Sequence, residues 1–456
     1  MSFPRYPEYR DSGVEWLGEV PAEWNVKRIR FLAELNPSKS EVATMDRGTV
    51  VSFLPMDAIG EDGSLRLDAE KPIGELESGY TYFRNGDVTI AKITPCYENG
   101  KGALMKGLQN GIGFGTTELI VARPKAKEVT GQFLHYLFMS PDFRSLGESH
   151  MYGAGGQKRV PDAFVRNFAT AMPPLPEQTQ IAAFLDRETA KIDALVAEQG
   201  KLIALLKEKR QAVISHTVTK GLDASVSMKD SGVEWLGVVP AHWGVVPLGK
   251  VTVARCDGPF GSGLKSEHYT DAGVRVVRLQ NVRSDGFNGV DEAFIAPDYY
   301  DRELSGHDVI AGDVLIAGLG DDKNTVGRAC VAPFGIEPAM VKADCFRYRV
   351  DTTRVSSEFV ATALCASSQF DAGVLSTGST RSRIPLSVMA TRKVPMPPLT
   401  EQLEIAARLK GEAAKFDTLT AEAQHAITLL QERRAALISA AVTGKIDVRH
   451  FAAMPA

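Results

Sequence analysis

The sequence predicts α/β (α+β) character: two globular domains separated by two long antiparallel coiled-coil helices, with an internal repeat of pseudo-two-fold kind. Three observations predict it. The octet DSGVEWLG occupies residues 11–18 and recurs unchanged at 230–237, followed by EVPAEW and VVPAHW. A second repeat, offset by 224 residues without a gap, matches MPPLPEQTQIAAFLDRETAKIDALV from Met172 with MPPLTEQLEIAARLKGEAAKFDTLT from Met396. Between the copied parts lie two stretches of similar length, 24–171 and 243–395, which share landmarks but little overall identity.

The elements follow in order. Residues 1–23 carry the first octet. Residues 24–171 form a first globular domain, 172–223 a long helix, and 224–242 a linker with the second octet. Residues 243–395 form a second globular domain, and 396–456 a second long helix and tail. Within the domains, FRNGDVTIAKI (83–93) matches IAGDVLIAGL (310–319), a β-branched strand entered through a Gly-Asp turn. NGKGALM (99–105) matches TVGRACV (325–331). TGQFLHYLFMSPDF (130–143) matches SSEFVATALCASSQF (356–370), an amphipathic helix. GGQKRVP (155–161) matches STRSRIP (379–385), a basic loop ahead of a strand.

Both long helices begin with Pro in or before the first turn and with Glu177 or Glu401 at the positive end of the dipole. Gly221 and Gly444 stop them. Heptads place Leu185, Ile192, Leu206 and Val213 at a, with Ile181, Leu195 and Leu202 at d. The second helix places Leu409, Phe416, Leu430 and Leu437 at a, with Ile405 and Leu419 at d. Polar breaks recur at Gln178/Gln402, Glu188/Glu412 and Lys209/Arg433, and are expected to fix the register of the paired helices. The first octet is expected beside the end of the second helix, as the second octet follows the first helix, with Trp16 and Trp235 as buried anchors.

Composition narrows the function. With 456 residues, 44% apolar and 24% charged, the chain is globular and of two to four domains. No apolar run nears the roughly 20 residues that span a bilayer, and the start MSFPRYPEYRDSG carries no export signal, so a cytoplasmic, non-membrane location is expected. Cys96, Cys256, Cys330, Cys345 and Cys365 are scattered without a CxxC pair and are expected as reduced thiols. The net charge is −4, and residues 27–171 hold 18 Lys/Arg against 17 Asp/Glu, residues 243–395 17 against 18. Any nucleic-acid contact must therefore come from local clusters.

Catalytic patterns do not assemble. GPFGSGLKS (258–266) has Leu264 where a phosphate-cradling loop needs Lys directly after Gly. The eight histidines make no metal-ligand spacing. Asp142 and Asp162 lack a following carboxylate–x–Lys. TPCY (94–97) lacks the amide or carboxylate that would accept amino hydrogens. No cofactor or metal is expected on this chain, and no enzymatic activity.

In the order SGVEWLG-x-VP-x-x-W, AKITPCYENGKGA, PPLPEQ, SGVEWLG-x-VP-x-x-W, DGPFGSGLKSEHY, PPLTEQ, the chain resembles the specificity subunits of type I restriction–modification systems over nearly its whole length. The short tail VRHFAAMPA, without a third octet, fits a complete two-domain member. The resemblance implies that each globular domain is a target recognition domain reading one half of a bipartite, asymmetric double-stranded DNA target. It implies that the helices set half-site spacing and dock two methyltransferase subunits. Those partners would use S-adenosylmethionine, and restriction/translocase subunits would use ATP and magnesium. The isolated chain is then expected to bind DNA weakly, with a small salt slope, compared with the assembled enzyme.

On this footing the candidate DNA-binding residues are Lys92, Tyr97, Asn99 and Lys101 on a strand-to-loop passage of the first domain, and Lys158 and Arg159 in its basic loop. In the second domain they are Ser262, Lys265, Ser266, Arg278, Gln280, Asn281, Lys323 and Asn324, with Arg381 and Arg383 in the basic loop. Gln and Asn suit adenine, Arg suits guanine, and basic loops suit phosphate. The alternative is a coiled-coil adaptor whose domains bind protein or glycan. The helix repeat alone allows it, whereas the shared landmark order disfavours it. Adjacent reading frames for an adenine methyltransferase and a helicase-nuclease would discriminate the two.

Overall fold

The computed structural model describes residues 3–154, 156–321, 323–375 and 382–451, and is mixed helix and strand. Two helices dominate, Leu175–Lys220 of 46 residues and Leu399–Val442 of 44. At 1.5 Å per residue the first is about 69 Å long. No helix among the described residues is long and apolar enough to cross a membrane. The chain divides into two compact units, residues 1–200 with 424–456, and residues 201–423. Each thus holds one globular domain and half of each long helix.

In the first unit a four-stranded sheet runs in the order Glu70–Pro72, Val50–Leu54, Ile112–Gly115, Thr81–Arg84. A second runs Ala33–Leu35, Leu119–Pro124, Val88–Ala91, Gly102–Leu104. The second unit repeats the latter as Thr252–Cys256, Cys345–Val350, Val314–Ala317, Ala329–Val331. It repeats the former as Phe294–Ile295, Val274–Val277, Ala339–Val341, Asp308–Val309, with Tyr269–Thr270 added at the edge. Each unit has one parallel pairing at the same place, Val50–Leu54 with Ile112–Gly115 and Val274–Val277 with Ala339–Val341. Two domains with little shared sequence therefore have one strand order.

The Gly-Asp turns explain part of this. Gly86 and Gly312 take φ of +91° and +87°, a conformation open to Gly. The following Asp87 and Asp313 are buried and accept the backbone N–H three residues back, from Arg84 and Ile310. Each carboxylate is neutralised from the neighbouring strand, Asp87 by Arg123 at 2.8 Å and Asp313 by Arg349 at 2.9 Å. The strands that follow, VTIA and VLIA, are buried along their whole length.

The octet is a structural joint. In both copies Ser12 or Ser231 bonds the backbone two residues on, and Asp11 or Asp230 accepts from the N–H of Gly13 or Gly232. The loop closes a two-stranded ribbon, Tyr9–Asp11 with Glu19–Pro21 and Met228–Asp230 with Val238–Pro240. The N-terminal copy lies at the end of the second helix: Tyr9 donates to the Gly444 carbonyl at 2.9 Å and the Asp447 N–H to that of Pro4 at 2.8 Å. Trp16 and Trp235 are only half-buried. The buried anchors are Leu17, Val20 and Trp24, and Leu236, Val239 and Trp243. Pro21 and Trp24 close on Gly444, and Pro240 and Trp243 on Gly221, so a side chain at either glycine would meet a ring.

The helix seam differs from a uniform heptad. In the first unit the two helix halves run antiparallel, with Ile181, Phe184 and Leu185 in one core with Ile438, Ala441 and Val442. Asp193 pairs with Arg434 at 2.9 Å there, and in the second unit Asp417 pairs with Arg210 at 2.6 Å, the same two positions of the repeat exchanged. Leu195, Leu202 and Leu419, expected at d, are instead 43–47% exposed. An α-helix drifts about 20° per heptad against a 3.5-residue repeat, which turns such positions off the seam. The polar breaks do not fix register either. Gln178 and Gln402 are buried and reach the globular domains (below), Glu188 and Glu412 pair with cations on their own helices, and Lys209 and Arg433 are exposed.

Gln178 accepts from the N–H of Thr130 at 2.8 Å and donates to the carbonyls of Glu128 and Pro173. Gln402 does the same with Ser356, Arg354 and Pro397. Thr130 and Ser356 in turn cap the domain helices that begin at Gly131 and Ser357. This amide ties each domain to its long helix, and a buried amide with both ends satisfied is costly to remove.

Candidate nucleic-acid interface

The basic loops lie at equivalent places and carry the same device. In the first unit Arg159 grips Glu118 side-on, Nη2 to Oε1 at 2.7 Å and Nε to Oε2 at 3.0 Å. In the second Arg383 Nε meets Asp344 Oδ1 at 2.8 Å. Arg159 holds the Glu118 carboxyl below the usual range. Both arginines keep 37–47% of their side chains exposed, so the guanidinium is oriented but not consumed. Arg383 also lies over the ring of Phe260, itself 52% exposed.

Around Arg159 the structure gathers residues far apart in sequence. The Thr94 N–H donates to the Lys158 carbonyl, and the Lys158 N–H to Thr94 Oγ1. Ile93 bridges Arg159, and the Val160 N–H donates to the Lys92 carbonyl. Lys92, Lys158 and Arg159 therefore share one rim, with Lys158 exposed. Asn99 is exposed and donates to Glu61 at 2.9 Å. Tyr97 does not belong to the rim. Its ring is buried and its hydroxyl donates to the Phe143 carbonyl, and burial pushes its pKa up. Lys101 is turned inward, its Nζ donating to the Met56 carbonyl at 3.1 Å.

In the second unit Lys265 and Ser266 are exposed on a loop that begins where Gly258 crosses the carbonyl of Lys342, a crossing with no space for a Cβ. Beside it, burial first, and the neighbouring Asp344, raise the Asp257 carboxyl to about 6. Gln280, Lys323 and Asn324 come together on the walls of a cleft of about 830 Å³. Arg278 is paired with Asp291. Asn281 is fully buried, accepting from the Arg278 N–H and donating to the carbonyls of Asn288 and Asp291, so its amide shapes the turn and cannot meet a base. Arg381 and the side chain of Ser262 lie outside the described residues.

The cleft adds groups that sequence reasoning missed: Lys207 and Gln211 on the first long helix, Arg283 and Ser284 on the facing loop, and Arg328 beneath. A spacing signal existed for the helix pair, since Lys207 and Gln211 lie one turn apart on one face. Nothing in the sequence indicated that this face meets the domain. The landmark match of NGKGALM with TVGRACV was also one residue out. Gly102 pairs with Ile90 and Ala329 with Ile316, which makes Arg328 the counterpart of Lys101.

Residues 21–203 match the family model "Type I restriction modification DNA specificity domain". The chain is 42% identical over 189 residues to the EcoAI specificity subunit and 40% over 200 residues to the EcoEI specificity subunit, both of Escherichia coli. These matches cover 41% and 44% of this chain, and the chain spans only 31% and 33% of those relatives. In fold it is similar to a chain from the solved structure on complex assembly and conformational transition of the type I R-M system. The TM-score is 0.68 at 19% identity, over 93% of this chain and 98% of that one. The similarity is thus one of sequence over residues 21–203 and one of fold alone over nearly the whole chain.

Proposed function

We propose that the chain is the non-catalytic DNA sequence-recognition subunit of a type I restriction–modification complex, each globular domain reading one half of a bipartite asymmetric target. The observation that carries this is the pairing of a common frame with divergent rims. Both domains have one strand order and an oriented arginine in the basic loop. The polar side chains that each domain offers beside this frame differ, Lys92, Asn99 and Lys158 in the first against Gln280, Lys323 and Asn324 on the cleft of the second. Common parts suit the sequence-independent phosphate grip, and differing parts suit base reading.

The long helices set half-site spacing as a coiled-coil ruler, and the chain carries a pseudo-two-fold internal repeat. Half-exposed leucines support a docking role for two methyltransferase subunits: Leu195 and Leu429 in one unit, Leu202, Leu205, Leu403 and Leu419 in the other. Adenine methylation with S-adenosylmethionine, and ATP- and magnesium-dependent restriction, belong to those partners and to restriction/translocase subunits. The complex acts in the cytoplasm.

Methylome sequencing with and without the gene tests this. Loss of one bipartite methylated motif is the expected result, and an unchanged methylome refutes it.

A further inference from the structure

Arg328 is 6% exposed, and among the described residues it has no ion pair with a carboxylate. Its donors go to five backbone carbonyls. Nε reaches Val282 at 2.8 Å and Nη2 reaches Leu279 at 3.0 Å. Nη1 reaches Thr325 at 3.0 Å, Leu319 at 3.2 Å and Asn324 at 3.3 Å. The first two acceptors lie on the loop 279–285 and the other three on the loop 319–325. These loops form two of the walls of the 830 Å³ cleft, which the first long helix also lines, and they carry Gln280, Arg283, Lys323 and Asn324.

Each loop has its own internal braces. Asn281 holds the first, and Asp321 holds the second by accepting from the N–H groups of Lys323 and Asn324. Arg328 hydrogen-bonds to both at once. A planar guanidinium with five donors in a rigid fork can set the distance between two strands of backbone, whereas a lysine presents three donors at a single point. At the equivalent place in the other unit stands Lys101, whose ammonium reaches one carbonyl, that of Met56.

We propose that Arg328 is a positioning residue for base recognition in the second domain. It sets the separation of the two cleft loops, and the base-edge contacts of Gln280, Lys323 and Asn324 depend on it. This rests on the DNA-reading function proposed above. The charge of Arg328, buried below a cleft that also presents Lys207, Arg283 and Lys323, favours an anionic backbone passing over it.

The test is methylome sequencing of the intact system carrying Arg328→Met or Arg328→Lys, with thermal melting to establish that each variant is folded. The expected result for Arg328→Met is degeneracy in one half of the motif, with discrimination there falling on the order of tenfold, and the other half unchanged. Arg328→Lys is expected to loosen the same half less. If the methionine variant does not fold, the lysine variant decides alone. A uniform fall in methylation with both halves intact marks a merely structural role and overturns the proposal, as does an unaltered motif. If no motif depends on the wild-type gene, the DNA-reading function fails first and takes this inference with it.

Discussion

The two units solve the same packing problem with partly different atoms. The indole of Trp243 donates to Glu401 at 3.1 Å, where His242 also binds. In the first unit the equivalent Glu177 is taken by the Tyr6 hydroxyl at 2.7 Å, and the Trp24 indole N–H has no partner among the described residues. Asp87–Arg123 and Asp313–Arg349 are the same buried pair twice, and Gln178 and Gln402 the same tie. His135 lies under the Gly63 turn, and its counterpart in the repeat, Ala361, carries no titratable group. Interior links between domain and helix are repeated, while pockets, rims and titratable groups are not. The shared frame is what the two domains have in common physically, and the freedom to differ lies where no partner element constrains the side chain.

The comparison breaks hardest at the buried pairs. Asp87→Asn leaves Arg123 partly uncompensated and is expected to destabilise by about 3 kcal/mol. Asp313→Asn is expected to do the same, each loss confined to its own unit. Hydrogen exchange read separately over residues 24–171 and 243–395 measures it, and an equal response of both domains to one substitution would contradict independent frames. Next come Gln178→Ala and Gln402→Ala, each stranding a buried helix-cap N–H and two carbonyls. About 2–3 kcal/mol is expected from either, and matched losses in chemical denaturation would show that the two ties are equivalent.

Acid separates the units. Burial first, then Arg434, Arg144 and Lys106, push the His135 imidazole down to about 4. The unfolded chain then binds the extra proton, so stability from this group is complete above pH 6.5 and is lost as pH falls towards 4. By pH 5 the loss is about 2 kcal/mol. Asp257, raised to about 6, acts with the opposite sign, and its unit gains as pH falls from 6 towards 3.8. Between pH 7 and pH 5 exchange protection should therefore fall in the first domain and rise in the second, and His135→Gln should abolish the fall in the first while leaving the rise in the second. The smallest effect is expected at the helix pairs. Arg210→Ala and Arg434→Ala should each cost about 0.5 kcal/mol, equal within error in double-mutant cycles with Asp417 and Asp193.

Much of this frame could be read from residues in order. The repeats marked both long helices and the octet joints, and the Gly-Asp landmarks marked the two equivalent strands, because turns and helices are written in near neighbours. Where expectation and structure part, the missing quantity is a long-range partner. Tyr97 and Asn281 have base-reading chemistry, but burial turned them to the interior. Gln178 and Gln402 were matched polar breaks in a seam, but their partner was the domain cap and not the other helix. Trp16 and Trp235 stood in the copied octet, yet Trp24 and Trp243 fill the joint.

The sequence by itself determined the two-fold duplication, the helix lengths and the turn glycines, since periodicity and backbone conformation depend on residues a few positions apart. Only the tertiary structure decided that Glu118 and Asp344 orient the two loop arginines, and that Arg328 joins two loops across a cleft. Those choices rest on which backbone carbonyls and carboxylates packing brings within hydrogen-bond reach, and no local pattern carries that distance.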